Sequence, residues 1–125
     1  MSLDPRVDIG HVHLKVSDID RSLAFYRDIL GFDLMQRLGD QAAFISAGGY
    51  HHHLGLNTWE SRGGSAPPPG TTGLFHVAIR YPDRRTLGDA LAKPALDLEL
   101  RELMGDTRTC AERQGAHGTF GEEPG

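Results

Sequence analysis

The sequence predicts an α+β fold made of paired βαβββ modules, the second of them incomplete. Three observations carry that prediction. Residues 9–16, IGHVHLKV, alternate apolar and polar positions as a half-buried strand does, and the apolar residues that follow recur at helical spacing. Beyond a Gly/Pro-rich interruption, LFHVAIRYPDRRTLGDAL then repeats the opening pattern at an offset of 65 residues.

The elements follow in order. In the first strand Val12, Leu14 and Val16 lie on one face, and His11, His13 and Lys15 lie on the other, so the strand has an apolar back and a polar working face. The run Ser17, Asp18, Ile19, Asp20 supplies helix-capping side chains. Ile19, Leu23, Tyr26 and Leu30 then mark an amphipathic helix that Gly31 ends, with Phe25 and Tyr26 expected in the core. Three short strands come next, FDLMQRL, AAFISA and YHHHLGLNTW, separated by Gly-Asp and Gly-Gly turn signals. Residues 61–72, SRGGSAPPPGTT, have no apolar period and read as a linker; they lack the strand-loop-helix setting of a phosphate loop.

At the 65-residue offset His76 matches His11, Val77 matches Val12, Ile79 matches Leu14, Arg80 matches Lys15 and Asp83 matches Asp18. After a one-residue deletion Arg85, Thr86 and Leu87 match Arg21, Ser22 and Leu23. The expected plan is therefore a single domain over 1–125, with a first module at 7–60, a linker at 61–72, the start of a second module at 73–92 and a divergent segment at 93–125. That last segment has no Val or Ile, Phe120 as its one Phe, Tyr or Trp, and five glycines, which makes three consecutive strands a poor expectation. Leu96, Leu98, Leu100, Leu103 and Met104 suit one short helix or strand, and Thr107 onward reads as a polar tail.

Composition narrows the function classes. A chain of 125 residues, 38% hydrophobic and 24% charged, is an ordinary globular domain. Its net charge of -4 without a basic block argues against nucleic acid or an anionic membrane as partner, and a small-molecule substrate remains open. No apolar run approaches the roughly 18 residues that span a bilayer. The start, MSLDPRVDIG, lacks a signal-like apolar stretch, and Cys110 has no intrachain partner, so a cytoplasmic setting is expected. A half module leaves Val77, Ile79 and Leu87 without their continuation, which predicts a homodimer that covers them.

Histidine is where chemistry concentrates. The internal run His51, His52, His53 leads into Leu54, Gly55, Leu56; strand parity puts His51 and His53 on the face of Gly55 and turns His52 to the opposite one. Two modules whose sheets pair into a curved surface would bring His11 and His76 to one hollow, with His13 and His53 facing it as well.

HVHLKVSDIDRSLAFYRDILGF in one copy and FHVAIRYPD in the other resemble the vicinal oxygen chelate superfamily of glyoxalases, bleomycin-resistance proteins and extradiol dioxygenases. AAFISAGGYHHHLGLNTW followed by a Pro-rich linker and GTTGLFHVAI is most similar to its catechol-2,3-dioxygenase-like branch. The resemblance implies a divalent metal in the hollow, ligated by the histidine early in each module's first strand, here His11 and His76, and by residues of the last strands. Where metal-binding glyoxalases carry a glutamate ligand this chain has Gly55, and nothing in 93–125 looks like the family's closing Asp-Pro-Asp-Gly turn and Glu-bearing strand. The third ligand must then be His53, Glu99, Glu102 or a carboxylate from a second chain.

Neutral imidazoles bind Fe, Mn, Ni, Zn or Cu, and two histidines with a carboxylate make an oxygen-activating iron site, so Fe(II) is the expected ion, with Mn(II) or another divalent ion as alternatives. His13 and His53 are the candidate proton-transfer residues. Trp59 and Tyr50 can wall an aromatic substrate. The expected activity is extradiol-type ring cleavage of a small aromatic or vicinal-oxygen substrate; the alternatives are a non-catalytic, bleomycin-resistance-like ligand binder and a glyoxalase-like lyase.

Overall fold

The structure is a computed structural model that describes residues 1–92 and the backbone of strand 108–113. The chain divides into two compact units, Met1–Gly64 and Ser65–Gly125. The mixed strand and helix content agrees with the predicted α+β class.

In the first unit β1 is Val12–Lys15, α1 is Ile19–Leu23 and runs on into a π-helical turn at Ala24–Ile29, β2 is Asp33–Leu38, β3 is Ala42–Ser46 and β4 is Leu54–Asn57. The sheet order is β1-β4-β3-β2, so the first and last strands of the module are neighbours and run parallel. Asp18 caps α1, its carboxylate accepting from the Arg21 amide at 2.8 Å. The wider turn that follows is marked by the Leu30 amide reaching the Phe25 carbonyl at 3.0 Å, and it brings the consecutive rings of Phe25 and Tyr26 onto the buried side together. Gly31, at φ 90°, ends the helix in a conformation that L side chains avoid.

The core forms between this helix and one face of the sheet. Leu14 from β1 and Val16 just after it, Ile45 from β3, and Leu54 and Leu56 from β4 meet Ile19, Leu23 and Phe25; all are buried. Each such side chain contributes about 1.5–3 kcal/mol by leaving water. The opposite face of the same sheet carries His13, Gly55 and Phe44 in one cross-strand row, because His13 pairs with Gly55 and Phe44 pairs with Gly55.

Two strand boundaries differ from the sequence expectation. The first strand begins at Val12 rather than Ile9, and Ile9 is 83% exposed. In the predicted strand YHHHLGLNTW only Leu54–Asn57 is strand. The ladder reaches back one residue further, since the His53 amide donates to the Ile45 carbonyl at 2.8 Å and the Val12 amide donates to the His53 carbonyl at 3.0 Å. Before His53 the chain turns through Gly48, at φ 76°, and a turn has no pleat to alternate its side chains.

In the second unit β5 is His76–Tyr81, α2 is Arg84–Leu91 and β6 is Arg108–Arg113. Asp83 caps α2 as Asp18 caps α1, accepting from the Thr86 amide at 2.8 Å. Strand β6 pairs in parallel with β5, His76 opposite Arg108, the same relation that β4 has to β1. The expectation of a polar tail from Thr107 is therefore corrected at Arg108–Arg113. A strand beside an existing edge gains a full ladder of backbone hydrogen bonds, and that context outweighs weak intrinsic preference. Candidate ligands Glu99 and Glu102 lie outside the described residues, as do 93–98 and 114–125. Among the described residues no helix is long and apolar enough to cross a membrane.

Candidate metal centre

The site is built where β1 enters the sheet beside β4. His11 stands one residue before β1 and His52 one residue before the point where the β4 ladder begins, and the 3.0 Å bond from the Val12 amide to the His53 carbonyl ties those two entries together. The His11 and His52 rings lie with centroids 4.3 Å apart, and His51 stands edge-on to His11 at 6.0 Å. The His51 and His52 Nδ1 atoms face each other at 3.0 Å, so one of the two carries the shared proton. One ligand atom from each of His11, His51 and His52 lies within 4.8 Å of the others. His52 is half-buried, while His11 and His51 are exposed.

This corrects the parity argument for His52. The alternation that sent it to the far face holds only inside a pleated strand, and His52 belongs to the turn. Its ring instead packs against His11 and, at 5.0 Å, against Phe44 on the working face. Loss of water holds the His52 pKa below the ordinary imidazole value, with neighbouring His11, His51, His13 and His53 adding to the shift in that order. His51 and His52 are the site residues that sequence reasoning passed over. The repeated histidine run was the available signal, and the Gly48–Gly49 turn before it was the clue that strand parity did not apply.

His53 does something else. Its Nδ1 accepts a hydrogen bond from the Ala47 amide at 3.2 Å and lies 3.3 Å from the Ser46 hydroxyl, with the Tyr50 ring at 4.7 Å. A neutral imidazole that accepts at Nδ1 carries its proton on Nε2. His53 thus stands beside the His11, His51 and His52 group rather than within it.

His13 lies flat on the sheet over Gly55. A Cβ at residue 55 would meet His13 Nδ1 at 2.8 Å, Cε1 at 3.0 Å and Cγ at 3.1 Å, so the ring would have to shift. The ring stands edge-on to Phe44 at 5.9 Å and tilted to Trp59 at 5.6 Å. Loss of water lowers the His13 pKa first, and His11 lowers it further. Trp59, 58% exposed, also lines an open cleft of about 520 Å³ with Gln41, Thr58, Glu60 and Arg62. Lys15 with Glu60, at 2.7 Å, forms an exposed pair beside it. His76, the first residue of β5, is half-buried in the second unit with the Phe75 ring at 5.5 Å.

Three imidazoles within ligand reach, with no carboxylate among the described residues of the cluster, suit a divalent transition ion in donor type and spacing. The profile described as the Glyoxalase/Bleomycin resistance protein/Dioxygenase superfamily matches residues 8–95. The chain belongs to this superfamily. Catechol-2,3-dioxygenase of Bacillus subtilis (strain 168) is 46% identical over 80 residues, a match covering 63% of this chain and 28% of that protein. The chain thus spans under a third of the length of that relative. The crystal structure of lactoylglutathione lyase from Agrobacterium tumefaciens superposes with a TM-score of 0.60 at 18% identity, covering 93% of this chain and all of that one, a likeness of fold. Both the resemblance seen in the sequence and the fold class expected from it hold.

Two outcomes follow from this geometry. Gly55→Ala forces His13 off the sheet and costs about 1–3 kcal/mol in the otherwise natural chain, whereas in a His13→Ala background most of that cost vanishes. Urea unfolding of the four proteins in the cycle measures the coupling, and equal costs in both backgrounds would show that His13 does not rest on Gly55. The second outcome concerns pH. The unfolded chain protonates His13 and His52 near 6.5, while the folded chain holds off both protons to lower pH. Stability of the metal-free protein is therefore present above that value and lost as pH falls below it. Thermal melts between about pH 7.5 and 5.5 should show this decline, and His13→Gln with His52→Gln should flatten it. An unchanged slope in the double variant would contradict the assignment.

Proposed function

We propose that the chain is a metal-dependent dioxygenase-like protein of the extradiol ring-cleavage type, acting on a small aromatic substrate with vicinal oxygens. The observation that carries the reading is the placement of His11, a ring-packed histidine cluster and His13 on one open sheet face flanked by Phe44 and Trp59. Support comes from the 46% identity to a catechol-2,3-dioxygenase over 80 residues. His11 and His76 are the ligands we assign from their equivalent positions in the two modules, and Fe(II) is the ion. A bound Fe(II) supplies Lewis acidity toward the diol and electron transfer toward dioxygen.

The residues of this chain do the rest. His13, kept unprotonated by its loss of water, accepts a proton from a substrate hydroxyl. His53, fixed at Nδ1 by the Ala47 amide, presents its Nε2 proton as a donor. Phe44 and Trp59 flank a planar ring and limit water beside it. Cleavage next to the diol consumes one dioxygen per substrate and keeps both oxygen atoms in the product, so no external reductant is needed. The lyase alternative is weakened because Gly55 provides no carboxylate and the His13 ring fills its space. We further assign a homodimer, since Leu74, Phe75 and Leu91 are large apolar side chains exposed at 51%, 61% and 57%.

The test is oxygen uptake and ring-product absorbance with catechol after anaerobic loading with Fe(II). We expect turnover that falls by about 100-fold or more in His13→Gln and is lost in His11→Ala and His76→Ala. Sedimentation of the same preparation should give twice the 13.7 kDa chain mass. Catechol binding seen by Trp59 fluorescence without any oxygen uptake would replace the enzyme reading with ligand sequestration.

A further inference from the structure

We propose that His11, His51 and His52 form a self-contained, all-imidazole site that captures a borderline divalent ion, Zn(II), Ni(II) or Cu(II), without any contribution from His76. The inference is independent of the dioxygenase reading, because it concerns capture of an ion by the first unit alone.

His51 and His52 are consecutive, so their separation is bounded by one peptide unit. His11 is brought to them by the parallel pairing of β1 with β4 and by the Val12 to His53 hydrogen bond one residue away on each chain segment. The donors therefore sit beside a hydrogen-bonded corner of the sheet. A tetrahedral ion with metal–nitrogen bonds of about 2.0–2.1 Å needs its nitrogens roughly 3.3–3.4 Å apart. The His51 and His52 Nδ1 atoms stand at 3.0 Å, and all three ligand atoms lie within 4.8 Å. Rotation of the exposed His11 and His51 imidazoles toward the half-buried His52 covers that difference without moving the backbone.

Chemistry then selects the ion. Among the described residues the cluster holds three nitrogen donors and no carboxylate, a set that discriminates through imidazole bonding strength rather than by charge. Cu(II), Ni(II) and Zn(II) bind such sets well, and Mn(II), Mg(II) and Ca(II) do not. The exposed His11 and His51 leave the remaining coordination positions to water, which makes the ion exchangeable. Because His11 is also the first-module ligand assigned above, an ion held here competes directly with Fe(II) loading.

The experiment is calorimetric titration of the purified, metal-free full chain with Zn(II), together with the visible spectrum of Co(II) bound in its place. One ion per chain is expected. His51→Gln, His52→Gln and His11→Gln should each weaken binding by at least about 10-fold, while His76→Gln changes it by less than about 3-fold and Mn(II) fails to compete. Circular dichroism confirms that each variant is folded, which these surface positions allow. Loss of Zn(II) binding in His76→Gln comparable to that in His11→Gln overturns the proposal, as does unchanged binding in both His51→Gln and His52→Gln. Zn(II) binding that survives in His76→Gln while oxygen uptake is absent in the natural chain would retain this site and remove the dioxygenase reading.

Discussion

The parallel pairing of β1 with β4 is the constraint on which the first unit depends. It joins residues 42 positions apart, Val12 opposite Leu54 and His13 opposite Gly55, and it closes the module by making the last strand the neighbour of the first. One consequence lies on each face. Beneath the sheet, Leu14 and Leu56 become adjacent and seal the helix against the strands. Above it, the entry to β1 meets the turn before β4, and histidines distant in the chain come into ring contact. Register matters because a slip of one residue would exchange the apolar and histidine faces.

The absence of a side chain at Gly55 is the second organising feature. It lets the His13 ring lie against the strand, where loss of water lowers its pKa, and it lets Phe44 and Trp59 close around that ring. Gly in a central strand ordinarily weakens it. Here the space is filled from the neighbouring strand, so packing replaces what the missing side chain would have provided. Residue 55 and residue 13 are thus one structural unit, and their identities have to be read together.

The two units show the same local logic with different lengths. Asp18 and Asp83 cap equivalent helices, and β6 stands to β5 as β4 stands to β1, although the connection in the second unit is shorter. Parallel neighbours need a crossover rather than a hairpin, and α2 begins such a crossover. The likeness in arrangement supports the duplication, while the shortened return shows how far the copies have diverged.

The sequence by itself determined the repeat, the helix caps and the face on which His11 and His13 lie. These depend on interactions within a few residues, where alternation and capping chemistry have one physical outcome. It did not determine the placement of His51, His52 and His53. That depends on where the β4 ladder starts, which the bonds from His53 to Ile45 and from Val12 to His53 decide. Once that point is set, His52 falls in the turn against His11, and His53 is held by the Ala47 amide with its proton on the outer nitrogen. The strand at Arg108–Arg113 was illegible for the same reason: RTCAER has little strand preference of its own, and its ladder comes from a partner 32 residues earlier. Local preference is encoded residue by residue, whereas hydrogen-bond partners across the sheet are supplied only by the fold.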